Sequence, residues 1–320
     1  MPSLAIVILN YNRADLLADC LESIYAAPTR CDLAIWVVDN ASSDGSAATV
    51  RARFPQARLI ESPVNGGYSY GNNLALRAMM NVECGMLNAP ASDVRSFNPQ
   101  HSSFNIPDYI MLLNNDTVVP VGALDGLVDY LEAHPEVGAV GPKLILPDGS
   151  LDLACRRSFP TPEVSFYRML GLSRLFPKSP RFARYNMTYL DPDVETEVDA
   201  LVGACMLLRS SVVREVGLLD EQFFMYGEDL DWAYRIKQLG WRVFYYPRVV
   251  IHHYKRAAST RRAIPSIRAF YDAMRIFHRK HYAATTPAPL NALIEIGITL
   301  KELLALGRNY LRAPTARRVG

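Results

Sequence analysis

The most constraining feature of this chain is the alternation, over its first 135 residues, of short apolar runs with amphipathic segments. The apolar runs are rich in β-branched residues, as strands buried on both faces are, and they lie at Leu4–Leu9, Leu33–Val38, Ala57–Ile60 and Tyr109–Leu113. Apolar residues at helical spacing predict helices at Ala14–Tyr25, Asp44–Phe54, Tyr68–Met80 and Val121–Ala133. Repeated strand–helix–strand units predict an α/β fold, with a mostly parallel sheet and helices on both faces.

The rest of the chain is less regular, and we divide the sequence into three predicted parts. Residues 1–135 form one half of an α/β domain, residues 136–260 form the other half, and residues 261–320 form a basic tail. The tail contains two predicted amphipathic helices, at Ile264–Tyr282 and Leu290–Arg312. The non-periodic stretch between Cys84 and Asp108 is expected to be a long surface loop or a lid over the site.

Charge is unevenly distributed between the body and the tail. Residues 1–254 carry 21 Lys and Arg against 29 Asp and Glu, whereas residues 255–320 carry 13 against 3. A basic tail with apolar helix faces fits an anionic membrane surface. The alternatives are packing of these faces on the catalytic domain or on a second copy of the chain, as a homodimer.

Several absences indicate the compartment. The chain has no run of eighteen uncharged apolar residues, no basic region at its N-terminus and no CxxC pair among its five cysteines. We therefore expect a cytoplasmic protein, peripheral at the inner face of the plasma membrane, with no nucleic-acid partner.

Polar residues follow all four predicted strands. Because the carboxyl ends of parallel strands share one edge of the sheet, these residues are expected to converge there. The candidates are Asn10, Tyr11, Asn12 and Arg13 after the first strand, Asp39 after the second, Asn65, Gly67, Asn72 and Asn73 after the third, and Asn115 and Asp116 after the fourth. Any one of these loops could simply cap a helix or form a turn, but four of them at one edge indicate a ligand site.

The residue types suggest that the ligand is a nucleoside diphosphate sugar, in which the sugar is linked to dTDP or UDP. A carboxylate such as Asp39 can accept from the imide N–H of uracil or thymine, and amides in Asn65–Asn73 can donate to ribose and diphosphate. Asp116 is a hard oxygen ligand suited to Mg²⁺ or Mn²⁺, which would bridge the diphosphate. The sequence has no G-x-G-x-x-G after the first strand and no G-x-x-x-x-G-K-[ST], which disfavours a dinucleotide fold and a P-loop.

An ordered set of motifs resembles family 2 inverting glycosyltransferases of the GT-A fold. These motifs are Val7–Arg13, Val37–Ser46, Asn65–Asn73 and Leu112–Thr117, followed by Gly203–Met206, Gly217–Glu221, Phe224–Trp232 and Pro247 with His252. The resemblance covers about residues 3–260 and is greatest to the bacterial rhamnosyltransferase-type enzymes of cell-surface polysaccharide assembly.

The resemblance also implies roles for individual residues. Asp229 would be the catalytic base, and Asp116 and His252 would contact the metal. The predicted acceptor-binding residues are Gly203, Glu228, Asp231 and Trp232. Two simpler explanations remain open: acids that begin a helix complement its dipole, and Asp231 could pair with Arg235, one turn further along.

Together these features predict a metal-dependent, inverting glycosyltransferase, with Mg²⁺ or Mn²⁺ as cofactor. It would move L-rhamnose or another hexose to a hydroxyl of a cell-surface glycan or a polyprenyl-linked acceptor. One alternative is a sugar-1-phosphate nucleotidyltransferase, which needs a Gly-rich loop and a Lys that Asn10–Arg13 lacks. The other alternative is a non-catalytic nucleotide-sugar-binding module, against which Asp116 and Asp229 count.

Overall fold

The N-terminal alternation of strands and helices is confirmed by the computed structural model, which describes residues 1–80, 106–255 and 263–311. The elements are β1 (Ser3–Asn10), α1 (Ala14–Ala26), β2 (Asp32–Asp39), α2 (Ser46–Arg53), β3 (Arg58–Glu61), α3 (Gly67–Met80) and β4 (Tyr109–Asn114). The predicted loop or lid between Cys84 and Asp108 lies, up to residue 105, outside the described residues.

The remaining elements complete one sheet and add the tail helices. They are β5 (Thr117–Val118), α4 (Ala123–Ala133), β6 (Val137–Ile145), α5 (Pro162–Met169), α6 (Leu172–Leu175), β7 (Thr196–Glu197), β8 (Cys205–Arg209), α7 (Ser210–Val216), α8 (Glu228–Gln238), β9 (Arg242–His253), α9 (Ala263–His281) and α10 (Ala288–Leu311). A short 3-10 turn spans Leu153–Cys155. The C-terminal helices are present where the tail pattern predicts them.

Two strands differ from the sequence expectation. β6 lies in a stretch that we expected to be irregular, because Gly138, Gly141 and Pro142 weaken the strand pattern. β9 is one strand of twelve residues, whereas the sequence predicts separate strands at Val243–Tyr246 and Val249–Ile251, on either side of Pro247. The register between β6 and β9 shifts at Pro142 and Lys143, so Pro247 falls within an irregularity of the ladder.

The sheet is mixed, and its strand order places the site. The order is β3-β2-β1-β4-β8-β6-β9-β5, with β7 also paired to β9. The β1, β2, β3 and β4 pairs are parallel, whereas β8 runs antiparallel to both β4 and β6. Because β8 is reversed, its amino end lies at the same edge as the carboxyl ends of β1, β2 and β4. The loop that precedes β8 therefore lies beside the loops predicted to bind ligand.

The main core lies between this sheet and the helices that cover it. β1 is buried on both faces, and the apolar side of α1, with Leu17, Leu21 and Ile24, packs into the same core. Burial of each such side chain contributes about 1.5–3 kcal/mol. A smaller cluster joins α8 to α9 through Phe223, Leu230, Ala233, Ala273 and Phe277.

The outer tail helix is mostly uncovered. α10 has two fully buried residues, Ile298 and Asn309, while one side of it exposes large apolar residues. These are Leu290, Leu293, Ile296, Leu300, Leu303, Leu304, Tyr310 and Leu311. No helix in the described ranges combines the length and apolar character needed to span a bilayer.

Candidate active site

A hydrogen-bonded network joins the carboxyl ends of β1, β2 and β4. Asn10 is fully buried, and its amide nitrogen lies 3.3 Å from Asp39 Oδ1 and 3.3 Å from Ser42 Oγ. The amide of Asn115 donates to Asn10 Oδ1 over 2.6 Å. The structure thus brings together three predicted donor-binding residues and adds Ser42. Ser42 could have been predicted from the sequence, because it is a hydroxyl residue in the polar stretch after the second strand.

The turn after β1 is held against the turn after β2. The backbone N–H of Asn12 donates to Ser42 Oγ over 2.9 Å, and Asn12 Oδ1 accepts from the Ser43 N–H over 2.7 Å. Tyr11 and Arg13 lie in the same turn and are half-buried, and the carbonyl of Arg13 begins α1 by accepting from the Leu17 N–H.

Asn40 is a site residue that the sequence reasoning missed. Its buried amide donates to Asn65 Oδ1 and to the carbonyl of Gly67, and its oxygen accepts from the Gly66 N–H over 3.1 Å. A Cβ on Gly67 would lie 2.2 Å from the carbonyl oxygen of Phe224, and the φ of Gly67 is +88°. Only glycine fits this close approach. The available signal for Asn40 was its position directly after Asp39.

Asn72 and Asn73, which are predicted to bind the donor, make hydrogen bonds within the protein. Both face inward from α3 and are buried. The amide of Asn72 donates to the carbonyl of Tyr68 over 2.9 Å. Asn73 donates to the Leu219 carbonyl and to Glu221, and accepts from the Leu219 N–H, which uses its oxygen and its amide. Asn73 therefore ties α3 to the loop before α8.

Asp116 and His253 form the candidate metal centre. Asp116 Oδ1 is buried, lies 3.3 Å from His253 Nε2 and has no hydrogen-bond partner among the described residues. His253 Nδ1 contacts Asp152 Oδ2 at 2.9 Å, and Lys255 donates to Asp152 Oδ1 over 2.7 Å. A histidine whose second ring nitrogen is fixed by a carboxylate is typical of metal ligands.

Neighbouring charges set the protonation of His253 and Asp152, and a cation bound at His253 would displace the proton from its ring. Burial alone would lower the pKa of His253, but the neighbouring carboxylates Asp116 and Asp152 outweigh burial and raise it to about 9. Burial also opposes ionisation of Asp152, yet the hydrogen bonds from His253 and Lys255 hold its pKa well below the usual range. Within the described ranges no group of three or more His, Cys, Asp or Glu could hold a metal. A cation here would therefore take further ligands from its substrate and from water.

The structure places His253, and not the predicted metal ligand His252, beside Asp116. Alternate residues of β9 point to opposite sides of the sheet, and His252 is exposed while His253 is buried beside Asp116. The irregular register around Pro247 sets which side each residue takes, and that irregularity cannot be read from the sequence.

Asp229 lies at the start of α8, opposite the loop that precedes β8. Its Oδ2 accepts from Arg157 Nη2 over 2.7 Å and from the Gly203 N–H over 3.0 Å, while its Oδ1 accepts from the Leu230 N–H. The Tyr68 hydroxyl donates to the carbonyl of Gly203 over 2.7 Å. Gly203 thus adjoins the carboxylate through its backbone. Arg157 was missed, because it lies in a stretch without periodicity.

Glu228 is buried beside Asp229 and has an unusual protonation state. Burial, followed by the charge of Asp229, raises the pKa of Glu228 to about 8. Its Oε2 is buried without a hydrogen-bond partner among the described residues. Glu228 is therefore a carboxyl that can hold a proton near neutral pH, next to a carboxylate that is ion-paired.

Asp231 and Trp232, which are predicted to bind the acceptor, are both fully buried and contact other parts of the protein. Trp232 is fully buried in the core, where its indole N–H donates to the carbonyl of Gly217 over 2.9 Å. Asp231 is also fully buried, and it contacts Arg235, Lys280 and His281. The pairing with Arg235 that remained open is present. Asp231 connects α8 to α9.

A mixed sheet with this strand order, and with its polar residues gathered at one edge, is the architecture of glycosyltransferases of the GT-A fold. Residues 2–271 match the family described as glycosyltransferase like family 2. The chain belongs to this family and is a glycosyltransferase.

The known proteins similar to the chain include a relative in sequence and two solved structures. An N-acetylglucosaminyl-diphospho-decaprenol L-rhamnosyltransferase of Mycobacterium tuberculosis is 28% identical over 316 residues, covering 99% of this chain and 96% of the relative. The structure of the mannosyltransferase PcManGT from Pyrobaculum calidifontis, in complex with GDP-Man and Mn²⁺, matches with a TM-score of 0.53 at 18% identity, over 97% of this chain and 71% of that one. GalNAc-T7 with UDP, GalNAc and Mn²⁺ gives a TM-score of 0.54 at 13% identity, over 97% of this chain and 58% of that one.

Proposed function

We propose that the protein is a metal-dependent, inverting transferase that moves L-rhamnose or another hexose from a dTDP- or UDP-linked donor to a glycan or a polyprenyl-linked acceptor. The observation that carries the proposal is the placement of Asp229 and the Asp116–His253 pair at one edge of one sheet. The match to the mycobacterial rhamnosyltransferase along nearly the full length of both chains supports the sugar and the lipid-linked acceptor.

The donor would bind over the carboxyl ends of β1, β2 and β4. Asp39 is buried next to Asn10 and can accept from the imide of a uracil or thymine ring. Tyr11, Asn12 and Arg13, in the turn after β1, would line the nucleotide, with Asn65 and Gly67 on the side of α3.

Asp116 and His253 would hold a divalent cation, Mg²⁺ or Mn²⁺. Oδ1 of Asp116 is buried and has no hydrogen bond within the described residues, and the imidazole of His253 is fixed by Asp152. Together they suit a cation that takes oxygen and nitrogen ligands. When bound, the cation would neutralise charge on the diphosphate leaving group. Two structural neighbours that contain Mn²⁺ agree with use of a divalent metal.

Asp229 would act as the general base for the acceptor hydroxyl. The hydroxyl oxygen forms a bond to the anomeric carbon, the bond from that carbon to the diphosphate oxygen breaks, and the hydroxyl proton passes to Asp229. A single in-line displacement of this kind inverts the anomeric configuration. Gly203 and Glu228, which border Asp229, would contact the acceptor.

The exposed apolar side of α10 would rest on an anionic membrane that contains the acceptor lipid. Its eight exposed apolar residues lie opposite the side that packs on α9, and Lys301 and Arg308 are exposed on the same helix. The protein would thus act as a peripheral enzyme at the inner face of the plasma membrane.

Transfer to a defined acceptor tests the proposal. The wild type is incubated with dTDP-L-rhamnose and a short-chain polyprenyl-diphosphate-GlcNAc, with Mn²⁺ or with excess chelator, and the anomeric configuration of the product is read by NMR. We expect metal-dependent transfer with inversion, and a loss of about 10²–10⁴-fold in kcat for Asp229→Asn at unchanged donor affinity. UDP-linked sugars serve as a parallel set of donors. Absence of transfer from every dTDP- and UDP-linked sugar would contradict the proposal, and a retained configuration would contradict inversion.

A further inference from the structure

Arg157 carries a buried charge that the proposed reaction does not yet explain. Its backbone pairs with Ala200: the Arg157 N–H donates to the Ala200 carbonyl and the Ala200 N–H donates back, each over 3.0 Å. This pairing fixes the direction in which the side chain leaves the backbone. The side chain is 9% exposed, and its Nη2 donates to both the Leu201 carbonyl and Asp229 Oδ2.

The guanidinium shares one oxygen of Asp229 with a backbone N–H. Oδ2 accepts from Arg157 at 2.7 Å and from Gly203 at 3.0 Å, so the described structure uses both of its lone-pair directions. Within the described ranges Oδ1 accepts a single bond, from the Leu230 N–H at 2.8 Å, and a carboxylate oxygen can accept a second. Since Asp229 is 7% exposed, the orientation of its carboxylate determines which oxygen an acceptor reaches.

We propose that Arg157 is the positioning residue of the base: with the Gly203 N–H, it holds Oδ2 of Asp229 so that Oδ1 receives the proton of the acceptor hydroxyl. This inference rests on the proposed function of Asp229. The charge balance agrees with it, because Asp229 and Glu228 are adjacent buried acids and Arg157 is the cation in contact with one of them. Burial alone would lower the pKa of Arg157, but the charge of Asp229 outweighs it and raises the pKa, so the guanidinium stays charged.

The neighbouring arginine provides a matched control. Arg156 is also buried, but its guanidinium donates to two backbone carbonyls, those of Leu190 and Asp191, each over 2.7 Å, and it lies over the ring of Tyr245. The two arginines are therefore adjacent in sequence and both buried. They differ in their partners, because only Arg157 contacts the proposed base Asp229.

The experiment compares Arg157→Gln, Arg157→Lys and Arg156→Lys with the wild type, using dTDP-L-rhamnose, Mn²⁺ and the polyprenyl-diphosphate-GlcNAc acceptor. We expect Arg157→Gln to lose about 10²–10³-fold in kcat with donor KM within about twofold, since general-base catalysis contributes about 10²–10⁴-fold. Arg157→Lys should lose less, because an ammonium keeps the charge but not the planar geometry. Added methylguanidinium should restore part of the kcat of Arg157→Gln and none of that of Asp229→Asn.

Distinct outcomes overturn the role of Arg157 and the proposed function. A kcat for Arg157→Gln within about threefold of the wild type overturns the role of Arg157 alone. The role of Arg157 is also overturned if Arg156→Lys loses as much kcat as Arg157→Lys and methylguanidinium does not restore the kcat of Arg157→Gln. Those results would mean that both substitutions act through packing. If circular dichroism shows that Arg157→Gln does not fold, the comparison of the two lysine variants decides. A wild type that transfers no sugar overturns the proposed function, and the role of Arg157 with it.

Discussion

The buried carboxyl groups of the site differ chiefly in their partners. Asp116 lies beside a histidine, Asp229 is paired with an arginine, and Glu228 has no cationic side chain in hydrogen-bond contact among the described residues. A cationic partner favours the ionised form of a carboxyl, whereas burial disfavours it. One turn of α8 therefore holds two buried acids in different environments: Asp229 is ion-paired, and burial raises the pKa of Glu228.

Glu228 should make the stability of the protein depend on pH. Its pKa is about 8 in the folded protein, against 4.5 for an unperturbed glutamate. The folded state therefore binds more protons than the unfolded state between these values, and stability falls as pH rises from about 4.5 to about 8. The slope is at most about 1.4 kcal/mol per pH unit. Glu228→Gln should remove this dependence. The Tm of Glu228→Gln should therefore rise relative to that of the wild type as pH increases from about 4.5 to about 8.

Thermal melts at several pH values test this, with Glu136→Gln as the control. The side chain of Glu136 is 48% exposed, so this substitution removes a carboxylate without changing a buried one. A Tm difference between Glu228→Gln and the wild type that stays constant from pH 5 to pH 8 would be inconsistent with the raised pKa.

The two adjacent histidines of β9 should respond differently to the same substitution. His253→Gln removes the imidazole beside Asp116, so the Mn²⁺-dependent part of nucleoside diphosphate affinity should fall by at least about 10–100-fold, the cost typical of outer-shell partners. His252→Gln alters an exposed side chain and should leave this affinity unchanged. Calorimetric titration with UDP and dTDP, with and without Mn²⁺, measures both. The reverse result would restore His252 as the metal ligand.

At the scale of elements, α10 is unusual because its apolar residues are mostly exposed. A variant with Leu293→Ser, Leu300→Ser and Leu304→Ser removes the centre of this side, where each leucine is more than half exposed. Since burial of a leucine contributes about 1.5–3 kcal/mol, binding to anionic vesicles should fall about tenfold or more. High salt should also weaken binding of the wild type, because exposed cations contribute.

Exposed leucines elsewhere on the surface supply the control for this measurement. Leu170→Ser and Leu175→Ser alter residues that are 58% and 70% exposed near α5 and α6, and co-sedimentation should not change. If the triple variant instead changes a dimer to a monomer in sedimentation velocity, and vesicle binding is absent in the wild type, the apolar side of α10 belongs to a subunit interface.

Elements with strong periodicity were predictable, and their detailed contacts were not. α1 and α9 follow from apolar spacing, and the edge that bears the site follows from the order of the parallel strands. Which way a strand residue faces depends on register, and the irregularity in β9 decided between His252 and His253. Arg157 was not foreseen because its importance depends on contact with Asp229, which is distant in sequence.

At the scale of the molecule, the tail is joined to the catalytic body by buried charges. Asp231 at the start of α8 contacts Lys280 and His281 near the end of α9, at 2.8 and 2.7 Å. Burial would raise the pKa of Asp231, but the hydrogen bond from His281 and the charges of Arg235 and Lys280 lower it to about 2. The acid is thus ionised at neutral pH and binds α9 to the helix that carries Asp229.

Asp231→Asn should weaken this attachment without acting directly on catalysis. We expect a loss of about 1–3 kcal/mol in the free energy of unfolding, because the charge that satisfies Lys280 and His281 is removed. The kcat of the folded variant should stay within about threefold of the wild type. Urea unfolding and a transfer assay on the same samples measure the two effects. A loss of kcat like that of Asp229→Asn, with stability unchanged, would return Asp231 to the acceptor site.

The Asp231 contacts limit how this protein can be recombined with its relatives. If the tail is exchanged at the end of β9, α9 comes from the relative. Asp231 then loses Lys280 and His281 unless the relative has the same two residues. A chimera should therefore accept a foreign tail when α8 is exchanged with α9, or when lysine and histidine are kept at positions 280 and 281. The segment to exchange therefore begins before Glu228, at the start of α8, rather than after His253, at the end of β9.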